Sequence, residues 1–276
     1  MELNINGIGE QKILSNEFLK PNETYVNGEI QNYTEYYNLA KLENNIIMKW
    51  YNKLSDLNNM FSNRINITKM DFSNGILSTI NINSICKLSK LISLNLNNFE
   101  IDGVHDKNIM GNMFSGCSSL ISLNLNNFSI ISISDNNMEN MFSGCFSLIS
   151  LNLNNFSINS VHAKNIMGNM FSGCPSLISL NLNNFSIISE NDNNMTNMFS
   201  DCSSLISLNL NNFEINSVYY KNIMENMFSG CSSLITLNLN NFSINSGDDN
   251  NMENMFSGCS SLISLNLNNF EINSVH

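Results

Sequence analysis

The sequence predicts a solenoid of the α/β class. About eight coils stack with a parallel sheet along one side and short helices along the other, behind a β-rich N-terminal cap. Three observations carry the prediction. The phrase "IMGNMFSGCSSLISLNLNNFSI" at 109–130 returns with few changes at 137–158, 166–187, 194–215, 223–244 and 251–272. The leucine that opens each "LISLNL" stands at Leu91, Leu120, Leu148, Leu177, Leu205, Leu234 and Leu262, at spacings that alternate between 29 and 28. Within each copy the apolar residues switch from a helical period to a period of two. A fixed period in the twenties means units that cannot bury a face alone and do so by stacking.

Taken in chain order, residues 1–57 come first. They hold Trp50, Tyr25, Tyr33, Tyr36, Tyr37 and Tyr51, with the strand-like pieces "TYVNGEI" and "NNIIMKW". Aromatic, strand-forming residues ahead of a solenoid predict a cap over its first coil. The solenoid is placed at 58–276. Its first coil is a worn copy, "NNMFSNRINITKMDFSN" at 58–74, and the next is degenerate at Ser84 and Ile85. In each regular coil, Met110, Met113, Phe114 and Cys117 and their equivalents fall at i, i+3, i+4 and i+7. That is one face of a short helix, with Gly116 suited to its end. Leu123 and Leu125 then alternate with Ser122, Asn124 and Asn126, the pattern of a short strand with its apolar side inward. Phe128 and Ile130 are expected to close the interior beyond the strand. The linking segments alternate between "VHDKNIM"-type and "ISDNNM"-type, so the duplicated ancestral unit is a pair of coils.

Composition excludes several function classes. The chain has 276 residues, 13% of them charged, and a net charge of -11. That leaves no electrostatic footprint for nucleic acid. No apolar run is long enough to insert in a membrane, and the start shows no signal-peptide pattern. Asparagine is extreme at 58 residues, which an AT-rich gene would account for. No nucleophile–base grouping, paired carboxylate or phosphate-cradling glycine loop is present, so no catalytic residue and no cofactor is assigned.

Other columns have structural readings. One cysteine per coil (Cys117, Cys145, Cys174, Cys202, Cys231, Cys259), with Cys86 out of register, reads as buried free thiols, and no metal site is assigned. His105, His162 and His276 recur two coils apart, too far for a shared metal. Lys107, Asp135, Lys164, Asp192, Lys221 and Asp249 alternate in sign, a surface ladder that would help hold register. Asn127 and its copies follow the strand and are expected to bond backbone groups of the next coil. Four of them sit in "NFS" sequons, where a ladder role would make them poor glycan acceptors; Asn22, Asn32, Asn66 and Asn194 are the better sites if a eukaryote secretes the protein.

The recurring Met-x-x-Met-Phe-x-x-Cys-x-x-Leu-x-x-Leu-x-Leu-x-x-Phe resembles the BspA-like leucine-rich repeats of bacterial and protist surface proteins, over about residues 58–276. The gap from Phe to the next Met-Phe is longer than the usual family form. The resemblance implies a leucine-rich-repeat horseshoe with its sheet on the concave side. It also implies a location at the cell surface or outside the cell, and adhesion to a protein or glycan partner. The expected binding rows on that face are Ser122, Asn124 and Asn126; Ser150, Asn152 and Asn154; Ser179, Asn181 and Asn183; Ser207, Asn209 and Asn211; and Thr236, Asn238 and Asn240. A self-associating structural solenoid is the alternative, because Leu262, Leu265, Leu267 and Phe270 of the last coil have no visible cover.

Overall fold

The computed structural model describes residues 1–14, 20–34, 36–49, 66–73, 76–77, 88, 90–104, 111–132, 136–160, 165–189, 193–217, 222–246 and 250–274. The readings of the histidine and alternating-charge columns fall outside these residues.

The repeats form a solenoid built from strands and turns. Short strands stack in register as a parallel sheet from Ile67–Asp71 and Ser93–Asn95, through Ser122–Asn124, Ser150–Asn152, Ser179–Asn181 and Ser207–Asn209, to Thr236–Asn238 and Ser264–Asn266. A second parallel sheet runs beside it from Ile76–Leu77 to Glu271–Ser274. A third, from Asn136–Asn137 to Asn222–Ile223, has four strands among the described residues. The first sheet continues past the repeats. Glu2–Asn6 pairs antiparallel with both Ile67–Asp71 and Glu43–Lys49, so the first coil's edge is covered by the N-terminal strands. This gives those backbone groups partners that an open sheet edge would lack.

The expected helices are absent: no helix occurs among the described residues. The residues that predicted them are nonetheless inward, since Met138, Met141, Phe142 and Cys145 are all fully buried. The backbone differs because Asn140 and Gly144 sit in the left-handed region, at φ 56° and 73°. An α-helix cannot continue through such residues. Each turn instead closes a short i→i−3 bond, as from Ser143 N to Asn140 O at 3.0 Å, and spends its other N–H groups on the next coil. Asn140 N donates to Gly168 O at 3.2 Å and Phe142 N to Met170 O at 2.9 Å.

The horseshoe expectation falls with the helices. A helix layer spaces coils roughly 8–10 Å apart while a sheet spaces them about 4.8 Å apart, and that mismatch would bend the stack. Here both sides advance by the same step. In the turn-side column from Phe114 to Phe256, successive ring centroids lie 5.1–5.5 Å apart. In the column from Phe99 to Phe270, beyond the strands, they lie 5.1–5.8 Å apart. The serine–asparagine face is therefore one side of a stack without a wedge, and "concave" does not describe it.

The core is a set of identical layers. In one coil Met167, Met170, Phe171, Cys174, Leu177, Leu180, Leu182 and Phe185 are at most 4% exposed. Each buried leucine or phenylalanine contributes on the order of 1.5–3 kcal/mol, repeated at every coil. The cysteine column needs one correction. Cys145, Cys174, Cys202, Cys231 and Cys259 are free thiols, whereas Cys117 is disulfide-bonded. Each free thiol donates to a phenylalanine carbonyl of the preceding coil, as from Cys174 Sγ to Phe142 O at 3.1 Å.

Candidate binding face

The strand register aligns the serine row and the first asparagine row on one face, and the second asparagine row follows in the turn after each strand. Ser122 lies beside Ser150, Ser179, Ser207 and Thr236, and Asn124 beside Asn152, Asn181, Asn209 and Asn238. The intervening leucines, Leu123 to Leu237, point inward and are at most 4% exposed. The hydroxyl row is exposed throughout.

The two asparagine rows do different work. In the row of Asn124, each side-chain oxygen accepts the backbone N–H two residues on, from Asn126 at 3.1 Å and from Asn183 (to Asn181) at 3.0 Å. This Asx turn ends the strand and fixes the amide in place. In the row of Asn126, Asn154, Asn183, Asn211 and Asn240, each Nδ2 donates to the side-chain oxygen of the preceding coil at 2.7–3.2 Å. These side chains are half-buried and tied to one another, so they support the face more than they offer it. The sites with most to give a ligand are the exposed hydroxyl row and the amides of Asn152, Asn181 and Asn209. A shallow depression of about 500 Å³ runs over these two rows.

Asn127 and its copies do form a ladder, with a different partner from the one expected. Each Nδ2 donates to the side-chain oxygen of the equivalent asparagine one coil back, at 2.8–3.0 Å from Asn127 through Asn269. Backbone N–H groups of the same residues bond the next coil separately, as from Asn127 to Asn154 O at 2.9 Å.

One feature of this side was missed from the sequence. Ile92, Ile121, Ile149, Ile178, Ile206 and Ile235 are 39–45% exposed, and Ile263 is 85% exposed. From Ile121 to Ile263 they line an open groove of about 1190 Å³ next to the hydroxyl row, with Ser147, Ser176, Ser204 and Ser233 on its other side. Strand alternation counted back from Leu123 puts Ile121 inside. The alternation breaks because Leu120 already fills the interior and Ile92 O accepts both Ile121 N and Ser122 N, at 2.9 and 3.1 Å. Two successive N–H groups on one acceptor mark a bulge-like turn that flips the facing of the side chain. The usable sequence signal was the pair Leu-Ile itself: two adjacent apolar residues at a chain corner cannot both face in.

Burial holds the enclosed thiols in their neutral form. Burial pushes Cys145, Cys174 and Cys231 up to about 12. Among the described residues no group of His, Cys, Asp and Glu could hold a metal ion, and no helix is long and apolar enough to cross a membrane.

A family model described as "Mycoplasma protein of unknown function, DUF285" matches residues 55–185 and 165–276. The chain belongs to the DUF285 family. The match covers the whole repeat region and is consistent with the BspA-like resemblance, while the strand-and-turn coils do not carry the leucine-rich-repeat name. A search of curated proteins found no match. Within this DUF285 chain, the serine–asparagine face carries no charge at its repeated positions from Ser122 to Asn240, whereas Lys69 and Asp71 occupy the same positions in the first strand.

Proposed function

We propose that this DUF285 solenoid is a non-enzymatic adhesive module at the cell surface or outside the cell, holding a protein or glycan partner on its serine–asparagine face. The observation that carries the reading is the face itself. Hydroxyls and amides recur in register from coil to coil, held by Asx turns and an amide ladder, so their positions are set before a partner arrives. Binding to preset groups avoids part of the ordering cost of association. Uncharged donors and acceptors suit peptide groups or sugar hydroxyls, directly or through bridging water. The resemblance to BspA-like surface proteins points the same way. The polar rows contain no aromatic or arginine anchor, so each contact is weak and retention depends on many copies acting together.

The test replaces Asn152, Asn181, Asn209 and Asn238 together with Asp. Each aspartate keeps the oxygen that accepts the backbone N–H of Asn154, Asn183, Asn211 and Asn240, so the strand end survives. Four negative charges replace amide donors on a chain already at -11. The expected outcome is an unchanged circular dichroism spectrum with adhesion to surface or matrix extracts abolished. Undiminished adhesion by the folded variant would move the site off this face.

A further inference from the structure

We propose that the isoleucine groove is a homotypic interface, through which two copies of this chain pair side by side. Four properties of the groove specify a second copy as its occupant.

The first is rigidity. Backbone bonds link the ladder rung to rung: Ile121 N to Ile92 O, Ile149 N to Ile121 O, Ile178 N to Ile149 O and so on to Ile263, at 2.8–3.2 Å. The apolar strip is therefore preset rather than assembled on binding.

The second is charge. Two chains at -11 each repel one another, and a stable approach needs a surface free of carboxylates. The groove is lined only by isoleucine, serine and one leucine.

The third is phase. Coils advance by 5.1–5.8 Å, as the stacked rings show. An extended peptide laid along the stack presents same-side residues about 6.6–6.8 Å apart, so its side chains fall out of step with the isoleucines within a few rungs. A second copy carries the same step, so its rungs stay in phase with this chain's rungs along the length the two share, in the way identical side chains pack between paired sheets.

The fourth is area. In the groove Ile121, Ile149, Ile178, Ile206 and Ile235, each 39–45% exposed, run unbroken with their flanking serines, the kind of continuous apolar surface from which a stable dimer draws about 800 Å² per partner. Isolated surface isoleucines need no explanation, but a contiguous strip of this size does.

An even ladder could pair in several registers, and one break in it selects among them. The exposed serine before Ser147 and Ser176 is replaced in two neighbouring coils, by Phe146, 59% exposed, and by Pro175, also exposed. A two-fold axis midway between these coils sets each copy's Phe146 against the partner's Pro175. A self-complementary patch of this kind closes a dimer without leaving an open chain of contacts. Such a dimer would place two serine–asparagine faces side by side, yet the inference does not depend on what those faces bind.

The experiment is sedimentation velocity across the micromolar range. The wild-type chain is expected to dimerise, Ile149→Lys with Ile178→Lys to be monomeric with unchanged circular dichroism, and Phe146→Ser to raise the dimer Kd at least tenfold. If the lysine pair unfolds the chain, Ile149→Thr with Ile178→Thr decides by the same tenfold criterion. Leu267→Asp, on the half-exposed last coil, is expected to leave the dimer intact. A monomeric wild type, a dimer that survives the isoleucine variants, or a dimer lost only through Leu267→Asp would overturn the proposal.

Discussion

Asparagine does three structural jobs in every regular coil, and together they account for much of its abundance. At Asn112, Asn140, Asn169, Asn197, Asn226 and Asn254 it holds the first bend of the turn side at φ 54–59°. At Asn98, Asn127, Asn155, Asn184, Asn212, Asn241 and Asn269 it holds the bend after the strand at φ 52–55° and carries an amide ladder. A second ladder runs through the row of Asn154. Left-handed backbone costs an ordinary residue about 1–2 kcal/mol, and asparagine tolerates it better than other side chains except glycine. Asn184 tests how the two contributions divide. It donates to Asn155 at 3.0 Å and accepts from Asn212 at 2.9 Å. Asn184→Gly loses those two exposed bonds but keeps an unstrained bend. Asn184→Ala loses the same bonds and adds the strain. Urea unfolding is expected to show alanine costing about 1–2 kcal/mol more than glycine; equal losses would mean that the ladder alone holds the bend.

At the scale of the element, the turn side shows what was legible in the sequence and what was not. Burial was legible: Met138, Met141, Phe142 and Cys145 were read as inward and are. Backbone form was not, because spacings of three and four describe a helical face and a run of three-residue turns equally well. The deciding signal was Asn140 and Gly144 within the apolar pattern, and it could be seen only by asking which residues accept positive φ. The strand rows were readable because a period of two has a single meaning, whereas the isoleucine corner was hidden by the bulge that breaks that period. The thiol column gives this element a pH signature. The unfolded thiol ionises near 9, while burial holds Cys145, Cys174 and Cys231 protonated up to about 12. Between those values the unfolded state binds fewer protons than the folded one. The contribution of each thiol is therefore intact below pH 9 and is lost as pH rises toward 12, at up to about 1.4 kcal/mol per pH unit. Unfolding free energies measured from pH 8 to pH 11 are expected to fall for the wild type and to fall less steeply for Cys174→Ala; parallel curves would mean that this thiol is not held in its neutral form.

For the molecule as a whole, a stack whose coils contact only their neighbours has a stability that is close to a sum of coil terms and interface terms. Coils can then be removed without loss of fold, provided the columns stay in line. The natural unit of removal is the pair, since Leu148 and Leu205 are equivalent residues two coils apart with one linking segment of each type between them. Deleting 148–204 joins Ser147 to Leu205, keeps the Leu-Ile corner and preserves the alternation of segments. Deleting 148–176 also keeps the repeat frame, yet it puts Asp135 and Asp192 in consecutive coils where the sequence otherwise alternates Asp with Lys. Both variants are expected to fold with wild-type circular dichroism per residue. In urea, the m-value should fall with the surface removed, and by about twice as much for the pair as for the single coil. Stability should fall with the number of coils removed, by more for the pair than for the single coil. A two-coil deletion that fails to fold would mean that the stack is held by contacts beyond nearest neighbours, and the additive picture of this solenoid would have to be given up.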